Sequence, residues 1–180
     1  VRSEMCIRDR LQDEHHAIIK RLGTGLRSVD DLSKFLRSTT LRTSARNQFR
    51  GQITKILKGG INTEVELRLN ESSKIIATVT NESVKQMGLK KGAYAIALIK
   101  SSWIILSTDR DITTSARNRL EGTVNKIIKG KVNSEIQLNL GAEKRLSCIL
   151  TNESVNSLKL RKRQTAYALF KASSVILMSD

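Results

Sequence analysis

Three short polar elements recur at one spacing in this 180-residue chain, and they hold most of its chemical potential. Thr43-Ser44-Ala45-Arg46-Asn47 returns as Thr114-Ser115-Ala116-Arg117-Asn118. Thr80-Asn81-Glu82-Ser83-Val84 returns as Thr151-Asn152-Glu153-Ser154-Val155, and Lys100 returns as Lys171. Each set offers hydroxyls, two cationic side chains and the start of a short helix. Lysine, arginine and backbone N–H groups donate hydrogen bonds and accept none, whereas hydroxyls do both. That inventory suits a small tetrahedral oxyanion, which a helix N-terminus also favours. Singly, each element has plainer work, because Ser, Thr and Asn cap helices and close turns by bonding nearby backbone. Their joint recurrence, while the positions between them diverge, is what singles them out.

The other reactive residue types do not assemble. His15 and His16 are adjacent, so on a helix they point about 100° apart and cannot share a metal. Glu64 and Glu135 recur too, each among basic residues, and read as charge partners rather than an acid/base pair. Cys6 and Cys148 form no CxxC spacing, which excludes a disulfide scaffold and fits a reducing cytoplasm. The sequence has no HExxH, GxSxG or phosphate-loop pattern. The expectation is a binding protein and not an enzyme, with no metal ligated directly.

The elements that position these residues follow from the repeat itself. The offset of 71 holds without a gap to the end, and 29 of 67 aligned positions are identical, which establishes a tandem duplication. In the first unit, 49–57, 61–70, 74–80, 94–100 and 103–108 read as strands. Ile61, Thr63, Val65, Leu67 and Leu69 are expected on one face, after a Gly59-Gly60 turn. Residues 82–89 read as a short helix capped by Thr80 or Asn81. Five short strands and one helix per unit predict a mainly β protein, a tandem pair of small OB-like five-stranded barrels. Arg161-Lys162-Arg163 stands where the first unit has Lys90-Lys91-Gly92. Loss of the glycine is expected to alter that turn, and the run reads as a solvated basic loop.

Ahead of the repeats, 13–38 carries Ile18, Ile19, Leu22, Leu26, Val29, Leu32, Phe35 and Leu36 at helical spacing, with Gly23 and Gly25 dividing it into two helices. Such a stripe must be covered by an upstream domain or a partner subunit. Residues 1–12 lack any period or signal-peptide core and are set aside as foreign to the fold, resembling adapter-derived sequence. The expected organisation is 1–42 leader and helical linker, 43–109 first repeat and 110–180 second repeat.

Hydrophobic residues at 39% and charged residues at 27% fit a folded domain rather than a disordered chain. No apolar run approaches the ~20 residues of a membrane span. The net charge of +15 calls for an anionic partner: nucleic acid, acidic lipid or a small oxyanion. With only 3% aromatics, the chain is poorly equipped to stack single-stranded bases.

TSARNQFRG, TNESV and ALIKSSWIIL resemble the Mop-type molybdate-binding repeat. Two such repeats behind LSKFLRSTTLRTSARNQ resemble the C-terminal sensor region of molybdate-dependent transcriptional regulators of the ModE type, over about residues 13–180. The resemblance implies a di-Mop (TOBE) fold and a homodimer that binds molybdate or tungstate at interfaces between units, without an organic cofactor. Matched position by position, it implies donors at Ser44 and Arg46, at Thr80 and Ser83, and at Lys100 with the backbone N–H of Ser101. The second repeat offers Ser115, Arg117, Thr151, Ser154, Lys171 and Ala172, the last through its backbone. The family's winged-helix DNA-binding domain has no counterpart in the chain, so DNA would be reached only through a missing N-terminal domain. The expected function is therefore a cytoplasmic oxyanion sensor module. The alternatives are a freestanding molybdate store, the regulatory domain of a molybdate transporter, or a basic OB-type nucleic-acid module.

Overall fold

Alternation of buried and exposed side chains builds each unit from the same strands. The computed structural model describes residues 43–179. The expected helices over 13–38, with His15, His16 and Cys6, lie outside the described residues. The first unit comprises β1 (Asn47–Lys58), β2 (Asn62–Arg68), β3 (Lys74–Thr80), α1 (Asn81–Gln86), β4 (Tyr94–Ile99) and β5 (Ile105–Ser107). The second repeats it as β6 (Asn118–Lys129), β7 (Asn133–Asn139), β8 (Arg145–Thr151), α2 (Asn152–Ser157), β9 (Thr165–Phe170) and β10 (Ile176–Ser179). Single 3-10 turns, Ser101–Trp103 and Ala172–Ser174, precede β5 and β10.

In β2, Thr63, Val65 and Leu67 point into the core as the alternation requires. Ile61 does not join them. It lies in the turn before β2 begins and is 80% exposed. The helix is shorter than 82–89 because Gly88 turns left-handed at φ +59 and ends it. The last strand of the first unit starts later than expected, because Trp103 belongs to a 3-10 turn.

The sheets cut across the sequence repeats. One has the order β10-β4-β1-β2-β3 and the other β5-β9-β6-β7-β8. Each unit therefore gives its last strand to the other. Ile176 to Ser179 pair antiparallel with Leu98 to Ala95, and Ile105 to Ser107 with Leu169 to Tyr167. Leu106 and Leu177 travel with these strands and bury in one common core with Phe49, Val65, Leu138 and Phe170. Burying one such leucine is worth about 1.5–3 kcal/mol, so neither unit completes its sheet or its core alone. Bulges between Ile53 and Lys55, and between Val124 and Lys126, bend the long first strands. Gly51 and Gly122 sit where the partner strand crowds in: a Cβ would lie 2.9 Å from Arg68 O and 2.9 Å from Leu140 Cδ2, respectively.

Two buried amides lock the exchange. Asn118 Nδ2 donates to Ile76 O (2.8 Å) and its Oδ1 accepts from Ile76 N (2.7 Å). Asn47 does the same for Ser147, at 2.8 and 2.7 Å, and also donates to Ile99 O at 3.2 Å. Ile76 and Ser147 lie on β3 and β8, the sheet edges, so each amide acts as one more strand residue supplied by the other unit. The turn at 161–163 keeps its shape without the glycine. Arg163 holds φ +71 where Gly92 holds φ +89, and both donate N–H bonds of 2.8 Å to β-strand carbonyls, Val124 O and Ile53 O.

Candidate functional site

The start of each short helix fixes the first pair of candidate residues. Thr80 leaves β3 extended and caps α1, its Oγ1 accepting from Ser83 N at 3.1 Å. The Thr80 and Ser83 hydroxyls are 2.8 Å apart, and Thr151 and Ser154 repeat both distances at α2. Within such a pair one O–H donates to the other oxygen, so one proton remains for a ligand. An anion that takes both donors must break the mutual bond. Asn81 is not the cap. Its Nδ2 donates to Gly59 O and Gly60 O while its Oδ1 accepts from Thr63 Oγ1 at 2.6 Å, and Asn152 does the same work in the second unit. These clamps hold the helix start against the neighbouring turn.

The exchanged strands bring residues of the two units side by side. Thr151 and Ser154 line a groove with Ser102, Ile104, Ile105 and Leu106 of the first unit. Ser115 and Lys171 line a second groove of about 220 Å³ with Trp103 and Ile105. Ile105 walls both grooves. On the symmetric side β3, which ends in Thr80, packs against the Ala172–Ser174 turn. Ser101 and Ala172 are buried as the first residues of 3-10 turns that no side chain caps. Lys100 is exposed, its Nζ 6.0 Å from the Trp103 ring centre.

The arginines reach elsewhere. Arg46 Nη1 donates to Glu135 at 2.6 Å and Arg117 Nη2 to Glu64 at 3.1 Å, each crossing to the other unit. The charge partnership expected of Glu64 and Glu135 is thus real, with partners the sequence did not identify. Both arginine side chains are more than half exposed, so each pair contributes at most about 1 kcal/mol and leaves guanidinium donors available. Ser44 is exposed beside Arg46 and shares neither groove. The amides of Asn47 and Asn118 anchor the two TSARN segments, a role visible in sequence only as their exact recurrence. Cys148 has no chemistry to offer here, because burial pushes its thiol up to about 12. Among the described residues no group of three His, Cys, Asp or Glu could hold a metal ion. None of their helices is long and apolar enough to cross a membrane.

Comparison with known proteins agrees with the repeat. The TOBE domain matches residues 43–106 and again 114–177. The molybdenum transport protein ModE of Herbaspirillum seropedicae is 38% identical over 168 residues, which is 93% of this chain and 62% of that protein. The molybdenum-pterin-binding protein MopA of Rhodobacter capsulatus is 40% identical over 165 residues, 89% of this chain and 62% of that protein. The chain thus spans a little under two thirds of these relatives. The molybdate-bound crystal structure of the cytoplasmic molybdate-binding protein ModG superposes with a TM-score of 0.75 at 38% identity, covering 78% of this chain and 100% of that one.

Proposed function

The chain belongs to the TOBE domain family, which it carries twice in tandem, and from that membership we propose that it binds molybdate or tungstate as a sensing module. What supports this reading is that Thr151 with Ser154, and Ser115 with Lys171, line grooves shared with the strand the first unit exchanges, and that each of these residues recurs in the first unit. Ser44, Arg46, Thr80, Ser83, Lys100 and the Ser101 N–H would serve one set of sites. Ser115, Arg117, Thr151, Ser154, Lys171 and the Ala172 N–H would serve the other. Molybdate is a full dianion at neutral pH and needs only donors, which these groups supply. Phosphate near neutrality retains a proton and needs an acceptor that Arg, Lys and backbone N–H groups lack. Sulfate is satisfied by donors, so its smaller radius is the ground for its exclusion.

A second copy of the chain completes the sites in this reading. Ile105 (64%), Ile176 (52%) and Trp103 (43%) are exposed on the exchanged segments, and Ile61 and Val132 recur in the same exposed way. Apolar residues doubled at one spacing suit the self-complementary face of a homodimer. A copy seated over Trp103 and Ile105 would close both grooves against water. The site of action is the cytoplasm, and the function is binding rather than catalysis.

The alignments with ModE and MopA are longer than the two repeats together, so they extend into the segment before Thr43. That favours a sensor joined through a linker over 1–42 to an upstream output domain. A freestanding store is the second reading, supported by the full coverage of ModG by the repeats alone. Calorimetric titration tests the binding itself. Molybdate and tungstate should bind with similar affinity, and sulfate and phosphate much more weakly. Equal heats from all four anions would reduce the site to nonspecific charge attraction. At a hundredfold excess over Kd, molybdate should add about 2.7 kcal/mol of stability.

A further inference from the structure

We propose that the loop between α2 and β9, residues 158–164, is a contact surface for the phosphate backbone of duplex DNA. The comparison that points to it lies within the chain. The first unit builds the equivalent loop with Gly88 at φ +59 and Gly92 at φ +89, the left-handed backbone that glycine adopts most readily. The second unit keeps both conformations and fills them with Lys159 (φ +48) and Arg163 (φ +71). Space is not the issue, since a Cβ at Gly88 or Gly92 would meet nothing within 4 Å. Within this loop the second unit therefore bears a backbone penalty at two positions, and in both the gain is a positive charge. With Arg161 and Lys162 between them, four of seven residues are basic and none is acidic.

These four side chains are exposed and free of any ion pair to a described residue. The backbone beneath them is firmly tied. Arg163 N donates to Val124 O, Val124 N to Gln164 O and Leu160 N to Val155 O, while Arg161 N donates to Gln164 Oε1. Leu160 is buried and anchors the centre of the loop. The cations thus stand exposed on a turn whose backbone is tied by hydrogen bonds. A small oxyanion needs donors that converge, whereas a row of phosphates needs cations that are spread along a surface. Two arginines add the planar fork that phosphate oxygens accept bidentately. The large exposed hydrophobics of the described residues all lie outside this loop, so a lipid bilayer would find nothing to insert. The four basic residues line neither oxyanion groove, and this proposal does not rest on that site.

The test uses the full 180-residue chain, a labelled duplex of arbitrary sequence and fluorescence anisotropy across a salt series. Four phosphate contacts give a slope of log affinity against log salt of about −3.6, or a loss of roughly 150-fold between 50 and 200 mM salt. The double variant Lys159→Gly/Arg163→Gly restores the first unit's residues. It should melt no lower than the parent, halve the slope to about −1.8 and bind on the order of 60-fold more weakly near 0.1 M salt. Lys90→Ala/Lys91→Ala removes equal charge from the first unit's loop and should change affinity less than twofold. Molybdate affinity should be the same in all three proteins. Equal losses in both double variants would overturn the proposal in favour of diffuse charge. So would unchanged DNA binding in the glycine variant, or a loss confined to anionic phosphatidylserine vesicles.

Discussion

Replacing Asn118 by alanine tests whether buried side-chain amides bind the two units into one cooperative structure. Its carboxamide makes two short bonds, 2.8 and 2.7 Å, to the N–H and C=O of Ile76 on a sheet edge, and both are buried. Alanine removes the two bonds and orphans both backbone groups. An orphaned buried group costs about 1–3 kcal/mol, so the sum is about 2–6 kcal/mol before relaxation, and about 3–4 kcal/mol is expected. Against a typical total of about 5–15 kcal/mol that is a large fraction. In urea the midpoint should fall sharply with the slope unchanged and with one transition, because the exchanged strands β5 and β10 still join the units. Asn118→Asp sharpens the test. It retains an acceptor for Ile76 N–H but sets a second oxygen against Ile76 C=O, in a place where burial raises a carboxyl pKa. A raised carboxyl pKa means the folded state holds its proton longer than the unfolded one, so the Asp variant should lose stability as pH rises from 4 to 7. The alanine variant should not follow that trend. A cost below about 1 kcal/mol for Asn118→Ala, or separate unfolding of two halves, would refute the reasoning.

Further outcomes follow from the same structure. Arg46→Ala, Lys100→Ala, Arg117→Ala and Lys171→Ala should each weaken molybdate binding by about 1.5–3 kcal/mol, and Ser44→Ala by about 0.5–1.5 kcal/mol. Glu135→Gln should tighten it, by freeing Arg46 from its 2.6 Å partner. Unchanged calorimetric affinity in all four charge variants would remove the site assignment while leaving the fold intact. Cys148, with its thiol raised to about 12, should resist iodoacetamide near pH 8 in the native protein and react promptly in denaturant. A folded-state pKa above the unfolded one means that its contribution to stability is complete below the unfolded value and is lost as pH rises towards 12. Gly122→Ala should destabilise by about 1–3 kcal/mol through overpacking, since the new Cβ meets Leu140 Cδ2 at 2.9 Å; thermal melting reads the loss. Truncation after Ser174 deletes β10 and strips the β4 edge of its partner, so cooperative unfolding, followed by circular dichroism, should be lost.

The sequence by itself determined the repeat, the strand content of each unit and the helix starts, because these depend on local quantities. Period-two alternation placed Thr63, Val65 and Leu67 inward, and type and position narrowed the helix cap to Thr80 or Asn81, of which the structure selects Thr80. Glycine signalled the ends of α1 and β1. Local reading failed where a neighbour in sequence is not a neighbour in space. Ile61 continues the alternation yet lies outside the strand, because the turn ends one residue after it. Arg163 keeps a glycine's conformation because Val124 and Gln164 hold the turn from either side. The exchange of β5 and β10, the clasp of Asn47 and Asn118 on the opposite sheet edges, and the pairing of Arg46 with Glu135 were decided only by tertiary structure. Two nearly identical units present the same edge and the same complementary strand. Pattern alone cannot say whether Leu106 pairs with its own β4 or with β9, since both edges offer an alanine at the same register, Ala97 or Ala168. What decides it is the geometry of the 3-10 turn and the core shared by both units, which bury Leu106 and Leu177 across the seam.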